Sequence, residues 1–506
     1  MRGLADIPLF VVLIGMGAVA MFLPAAHALA VDQHAIARPF FYGGTLFLIL
    51  AVLLALATMA NRPSNLARDQ LLTMLGAFTL LPLMLAVPFN EAVPDTGLFN
   101  AWWEMVSSMT TTGASLYDPA RLAPSLHLWR ATVGWLGGFF ILVMAVAVLA
   151  PMRLGGFEVF FSGGAAGGAL PEVAVGGARA VLPGSRILRA AGVIFPAYAG
   201  LTFALWVALL IAGDPALVGL CHAMSTLSTS GISPVGGPGA APSGILGEVL
   251  IVMFLLPALS RRFWPGGGEL RASDRLLTDP ELQLGIGLVL VVPALLFLRH
   301  WLGALEVSSR PDLALLATSL WGGVFTVASF LTSTGFESAG WTEARNWSGL
   351  EAPGLILAGL AITGGGVATT AGGVKLLRVY ALLMLGQREM ERLIHPSSLG
   401  GGGPVARRLR REGAYMAWIF FMLFAMSIAV VVMGVSLAGV GFEQATVLSI
   451  AALSNTGPLA GVAGLAPLPW AALESDAKAV LAGAMVLGRL ETLAIIALLN
   501  PEFWRL

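Results

Sequence analysis

Apolar residues run through this chain in long blocks separated by short polar clusters. A helix that crosses the hydrocarbon core of a bilayer needs about 20 mostly apolar residues. Ten segments meet or approach that length: Ile7–Leu29, Phe40–Met59, Leu71–Val87, Leu128–Leu149, Ala190–Ile211, Ile245–Leu259, Leu282–Leu298, Leu350–Gly386 with a break, Ala414–Met433 and Ala477–Leu498. Four shorter apolar pieces lie between them, Phe99–Met109, Leu217–Leu227, Leu320–Leu331 and Phe442–Leu453. At 11 or 12 residues these cannot span, and their length predicts helices that enter the membrane and turn back.

Composition supports this picture. Apolar residues make up 57% of the 506 residues and charged residues 11%, with a mean hydropathy of +0.85. A soluble chain of this size needs more charge to cover its surface. Basic residues orient the spans. With the N-terminus inside, only Arg38, Arg121, Arg130, Arg299, Arg310, Arg345 and Lys478 fall outside, so both termini are expected in the cytoplasm. The four short pieces then enter from the outer face. The formal net charge is zero, with no basic stripe for nucleic acid. The single cysteine, Cys221, excludes an internal disulfide. The first apolar segment is too long for a signal-peptide core and is read as a retained helix. Gly/Ala-rich Ser162–Gly177 and the glycines at 400–403 read as linkers. Neither a Walker sequence nor a Gly-x-Gly-x-x-Gly turn is present, and no His-Glu-x-x-His, so no enzyme activity and no organic cofactor are expected.

Each short piece runs into a similar tetrapeptide: Thr110-Thr111-Thr112-Gly113, Ser228-Thr229-Ser230-Gly231, Thr332-Ser333-Thr334-Gly335 and Ser454-Asn455-Thr456-Gly457. The glycines at 113, 231, 335 and 457 are 118, 104 and 122 residues apart, with two spans and one short piece in each interval. A fixed order at a near-fixed period is an internal repeat. One such tetrapeptide is an ordinary helix cap. Four on one side of a membrane read as a cation filter, in which backbone carbonyls replace the hydration shell of K⁺. The filter residues are Thr111, Thr112, Gly113, Thr229, Ser230, Gly231, Ser333, Thr334, Gly335, Asn455, Thr456 and Gly457. The C-terminal, partly negative ends of the short helices point toward the cation.

These motifs, together with Trp135-Leu136-Gly137-Gly138, the stretch from Gly364 to Lys375, Gly488-Arg489-Leu490-Glu491 and Phe503-Trp504-Arg505, resemble the Trk/Ktr/HKT superfamily of potassium transporters, and its TrkH type in particular. The resemblance covers nearly the whole chain from Arg68 onward. It implies an all-α integral membrane protein, with four pseudo-repeats of helix, pore helix, filter loop and helix around one pore, after two extra N-terminal helices. The expected division is 1–67 for those helices, then 68–160, 161–270, 271–400 and 401–506 for the repeats. The resemblance also implies K⁺ as the bound and transported ion, a homodimer, a cytosolic nucleotide-binding regulatory subunit of the TrkA type, and residence in the bacterial inner membrane. Membrane lipid is a further expected partner, held by the basic inner surface around Arg407 and Arg411.

A gate is expected below the filter. The eighth span is broken by Gly364–Gly373, too rich in glycine to stay helical. Gly364, Gly365, Gly366, Thr369, Thr370, Gly372 and Gly373 form the expected loop, with Lys375 after it. Arg489 lies about 12 residues into a helix that starts outside, a little past the midplane, where a charge costs on the order of 2.5–3.5 kcal/mol. It is expected to face the pore. Glu491, two residues on, is expected to face elsewhere and pack between helices. Lys375 and Arg378 are read as interfacial anchors or gate residues with equal weight. The competing readings are a cation-coupled symporter with a midplane site and a less selective Na⁺/K⁺ pathway.

Overall fold

A computed structural model describes residues 7–58, 66–152, 154–159, 183–265, 279–304, 313–348, 354–395, 411–464 and 467–491. The linkers at 162–177 and 400–403, Arg407 and the C-terminal Phe503-Trp504-Arg505 lie outside them. The described residues are helical with no strand. The N-terminal part comprises α1 (Leu9–Ala20), α2 (Phe22–Ala30) and α3 (His34–Thr58). The first filter segment follows α4 (Leu66–Thr79), α5 (Leu81–Ala92) and α6 (Leu98–Met109), and leads to α7 (Pro124–Met144). The second lies between α8 (Pro183–Ile211) with α9 (Ala216–Ser228) and α10 (Gly244–Leu255). The third follows α11 (Pro280–Ala304) and α12 (Leu313–Leu331); α13 (Trp341–Ser348), α14 (Gly354–Thr363) and α15 (Leu376–Ile394) come after it. The fourth follows α16 (Arg411–Leu437) and α17 (Phe442–Leu453), and precedes α18 (Leu459–Val462) and α19 (Ser475–Leu490).

Among the described residues, seven stretches are long and apolar enough to cross a membrane, Leu9–Ala30, Arg68–Ala92 and Pro124–Leu149 included. Two expected spans contain a joint. The first passes from α1 to α2 through one turn at Met21, three residues before Pro24, within the stretch Leu9–Ala30. Proline has no N–H to donate, which breaks the local ladder. The third changes helix at Leu80, before Pro82. The sixth, expected over Ile245–Leu259, is only the 12 residues of α10 plus one 3₁₀ turn, Leu256–Ala258, that starts with Leu256-Pro257. The third short piece is longer than expected: α12 begins at Leu313 and has 19 residues. α7 passes into a π-helical turn, Ala145–Leu149.

The surface is apolar where a soluble protein would be charged. Leu46 on α3, Leu295 on α11 and Met426 on α16 are 64%, 60% and 64% exposed. Such faces suit lipid, which is as apolar as leucine and supplies no hydrophobic drive between helices. Close packing must therefore hold the helices together. Gly137 of α7 lies against the carbonyl of Met109, at the end of α6, so closely that a Cβ would come within 2.0 Å of it. Gly488 of α19 stands in the same relation to the Leu453 carbonyl at the end of α17, at 2.1 Å. Met109 and Leu453 each lie four residues before the glycine of their tetrapeptide. The N-terminal helices dock on this core: His27 Nδ1 lies 2.8 Å from Ser125 Oγ, and Phe40 packs edge-on against Trp129 at 5.3 Å.

Candidate ion-conducting site

The four tetrapeptides share one local structure. In each, the amide two residues before the glycine bonds the carbonyl three residues back: Thr111 to Ser108 at 2.9 Å, Thr229 to Thr226 at 3.2 Å, Ser333 to Phe330 at 3.1 Å and Asn455 to Ala452 at 3.2 Å. The next amide reaches five residues back: Thr112 to Ser107, Ser230 to Ser225 and Thr334 to Ser329, each at 2.9 Å, and Thr456 to Ala451 at 2.8 Å. This pair of bonds is a Schellman cap, which needs a left-handed residue just past the helix. Thr111, Thr229, Ser333 and Asn455 supply it, with φ of 56°, 53°, 57° and 53°. That conformation costs residues other than glycine about 1–2 kcal/mol. The first hydroxyl of each tetrapeptide donates back to the helix, Thr110 to Val106 at 2.8 Å, Ser228 to Met224 at 2.8 Å, Thr332 to Ala328 at 2.9 Å and Ser454 to Ile450 at 2.7 Å. The hydroxyl requirement at that position is thus satisfied without water.

The segments after these caps meet. A Cβ on Gly113 would overlap the Ser230 carbonyl oxygen at 1.7 Å, one on Gly231 the Thr334 oxygen at 2.2 Å, and one on Gly335 would touch the Pro458 ring at 2.9 Å. One on Gly457 would strike the Ala114 nitrogen at 2.2 Å. Gly113, Gly231 and Gly335 are left-handed, with φ of 71°, 67° and 78°. Left-handed residues alternating with others let successive carbonyls turn to one side, which an extended strand cannot do. The four helix ends around this point each bring about half a negative elementary charge.

The fourth segment departs from the other three. Gly457 has no positive φ, and its amide donates to the Thr112 carbonyl at 2.7 Å. Its own carbonyl accepts from the Ala460 amide at 3.2 Å and from Trp470 Nε1 at 3.3 Å. Asn455 Nδ2 ties this segment to Thr112 Oγ1 at 3.0 Å and to the Met485 carbonyl at 2.9 Å. Pro458 accounts for the change, since it opens the short helix α18 directly after the glycine.

The glycine-rich loop between α14 and α15 lies against these helix ends. Thr370 Oγ1 donates to the Leu227 carbonyl at 3.1 Å, and the Gly372 amide donates to Ser333 Oγ at 2.7 Å. Gly372 also sits against the Ser454 carbonyl. On its other side the loop is tied to the Ala258 carbonyl by the Gly366 amide at 2.9 Å and by Thr369 Oγ1 at 3.1 Å. The Val367 amide donates to Glu281 Oε1 at 2.8 Å. Gly364 and Gly373 are left-handed at φ 72° and 76°, and Gly364 approaches the Gly372 carbonyl, so the loop closes on itself. Gly365 packs against the Ala258 carbonyl as well.

Arg489 and Lys375 border a cavity of about 30 Å³ with Gly372, Gly373 and the π turn residues Ala145 and Leu149. Arg489 is 4% exposed, and its Nε and Nη2 have no hydrogen-bond partner among the described residues. Lys375 donates to the Ala371 carbonyl. Two expectations fail here. Glu491 also lines this cavity, because α19 ends at Leu490 and Glu491 leaves helical geometry at φ 62°; the two-residue offset from Arg489 therefore sets no opposite face. Arg378 is not interfacial but fully buried, paired with Glu491 Oε2 at 2.8 Å and lying 3.5 Å over the Phe420 ring.

Sequence reasoning also passed over polar residues buried behind the filter: Glu104, Arg130, Asp214, His222 and Glu248. A single carboxylate inside an otherwise apolar segment, as at Glu104 and Glu248, was the readable signal.

The TrkH family model, described as a cation transport protein, matches residues 288–504. The chain is 30% identical to the Trk system potassium uptake protein TrkI of Halomonas elongata over 448 residues, 85% of this chain and 82% of that one. It is 28% identical to the TrkH protein of Salmonella typhimurium over 443 residues, 86% and 84% of the two chains. The crystal structure of the potassium transporter TrkH from Vibrio parahaemolyticus superposes with a TM-score of 0.79 and 25% identity, covering all of both chains. On this fold and this degree of relatedness, the chain belongs to the TrkH family of cation transport proteins.

Proposed function

We propose that this protein is the membrane subunit of a Trk-type system that takes up K⁺ across the bacterial inner membrane through a channel-like pore. One observation carries the reading: four helices end in the same left-handed cap, and the segments beyond them meet at one point. Such a point suits a dehydrated cation held by carbonyls and helix C-termini. The relatives' names supply K⁺ as the ion. In this reading Thr111 to Gly113, Thr229 to Gly231, Ser333 to Gly335 and Asn455 to Gly457 form the filter. The loop at 364–373 is the gate, with Lys375 and Arg489 as a positive barrier beside it. A cytosolic nucleotide-binding subunit acts on the gate from the basic inner face, and two copies associate in the membrane.

The test is ⁸⁶Rb⁺ flux in proteoliposomes, with Na⁺ competition, for Gly113→Ser and Gly335→Ser. Both variants are expected to lose preference for Rb⁺ over Na⁺, and melting temperatures on the same samples report the strain of placing a Cβ against the Ser230 carbonyl or the Pro458 ring. Unchanged preference in both would remove the filter assignment. Flux that stops when a proton or Na⁺ gradient collapses would replace the channel with a coupled symporter.

A further inference from the structure

Nine residues before three of the four filter glycines, one polar side chain on the re-entrant helix faces the chain that leaves the filter. In the first segment it is Glu104, 0% exposed. Its Oε2 accepts the Leu116 amide, three residues past Gly113, at 2.9 Å. Its Oε1 pairs with Arg130 Nε of α7 at 2.7 Å. In the second it is His222, 0% exposed, whose Nε2 lies 2.8 Å from Ser233 Oγ, two residues past Gly231. Ser233 Oγ already accepts from the Val235 and Gly237 amides at 3.2 and 2.9 Å, so its proton goes to Nε2. That leaves the imidazole proton on Nδ1, facing Asp214 Oδ2 at 3.9 Å. In the third it is Thr326, 0% exposed, whose Oγ1 accepts the Ser338 amide, three residues past Gly335, at 3.4 Å. Glu248 of α10 reinforces this wall, accepting Ser338 Oγ at 2.7 Å, the Ala339 amide at 2.8 Å and Trp321 Nε1 at 2.8 Å. In the fourth the position is Leu448, buried and apolar.

We propose that Glu104, His222 and Thr326 are positioning residues for ion selection, each clasping one wall of the filter from behind, and that the fourth wall works without a clasp. Each closes a loop whose other end is the capped tetrapeptide, so the glycine between is fixed at both ends. A filter discriminates between ions of similar charge only if its oxygens resist closing on the smaller one. The clasps supply that resistance. The fourth wall is held instead by Gly457 to Thr112, Asn455 and Trp470, so Leu448 has no such part to play.

This inference rests on the filter reading above. The experiment is the Rb⁺ over Na⁺ permeability ratio in proteoliposomes, with melting temperature measured on each sample. The double variant Glu104→Gln with Arg130→Met keeps an oxygen for the Leu116 amide and removes both charges; it is expected to keep the parent ratio. Glu104→Leu with Arg130→Met removes the oxygen as well and is expected to lower the ratio at least threefold. Thr326→Val, a one-group change in a different wall, is expected to lower it by a similar factor. Leu448→Ala is expected to lower the melting temperature and leave the ratio alone. Parent-like ratios in both Glu104→Leu with Arg130→Met and Thr326→Val overturn the proposal, as does an equal loss in Leu448→Ala. Gly113→Ser run alongside separates the two readings: if it alters the ratio and the clasp variants do not, the filter stands and the clasps fall. If the Glu104 pair does not fold, Thr326→Val decides.

Discussion

At the scale of single residues, a poorly compensated charge among the described residues is the arginine beside the glycine-rich loop. Arg489 is buried, and two of its donor nitrogens have no partner among the described residues. A carboxylate is near, but Glu491 gives its Oε2 to Arg378. In the proposed pathway, a cation passing this cavity would meet a poorly cancelled positive charge in surroundings that screen poorly. Arg489→Gln is therefore expected to raise Rb⁺ flux about tenfold, equivalent to about 1.4 kcal/mol off the barrier, with Rb⁺ over Na⁺ preference unchanged. Flux equal to the parent's would show that the arginine is structural. The sequence made this residue legible because one arginine inside an apolar helix is costly wherever it points. It did not make Arg378 or Glu491 legible. Their pairing spans 113 residues, and the helix register that placed Glu491 on another face ends one residue too early.

At the scale of elements, two joints carry predictions. The loop between α14 and α15 is fastened on its lower side by the Glu281 carboxylate, from the first turn of α11. Removing that acceptor leaves the Val367 amide buried without a partner, a cost of about 1–3 kcal/mol. Glu281→Ala is expected to raise basal Rb⁺ flux, whereas Glu281→Gln, which keeps an oxygen in place, is expected to match the parent. Equal flux in all three would mean that the loop does not depend on this tie. The second joint links α8, α9 and α10. Asp214 accepts the Ser243 amide at 2.9 Å. Burial alone would raise its pKa, but the nearby His222 imidazole and the hydrogen bonding with Ser243 outweigh it and hold the carboxyl below its ordinary 3.8. A depressed carboxyl stabilises the fold above its unfolded value, and that contribution is lost as pH falls through the folded value. Asp214→Asn is thus expected to lower the melting temperature at pH 7, with the gap to the parent narrowing toward pH 3. A gap that does not change with pH would assign the effect to packing. Lengths were the weak part of the sequence reading at this scale. α12 extends to Leu313 because Leu313–Ala317 is as apolar as the rest of it, and α10 stops early because Pro257 follows it.

At the scale of the whole molecule, the all-helical membrane fold was legible from block hydropathy alone, and the four tetrapeptides from their period. What the pattern could not carry is how the four segments touch, because those contacts join residues more than 100 positions apart. They bear on how substitutions combine. Gly113 lies against Ser230, and Gly335 against Pro458, with no shared neighbour among the closest atoms. Gly113→Ser and Gly335→Ser are therefore expected to change the Rb⁺ over Na⁺ ratio independently, their logarithms adding in the double variant. Gly335→Ser with Pro458→Ala, where the added Cβ meets the proline ring that the second change removes, are expected to depart from that sum. Additivity in both pairs would argue against a common centre. In the proposed filter one polypeptide writes all four walls, so the fourth, with its proline and its engaged carbonyl, is free to differ from the rest. In a pore assembled from identical subunits, every codon change is copied around the ring, so selection sees all or nothing. Under that proposal each change here is made once, and ion preference would drift by quarters, one wall at a time, while the other three kept the pathway working.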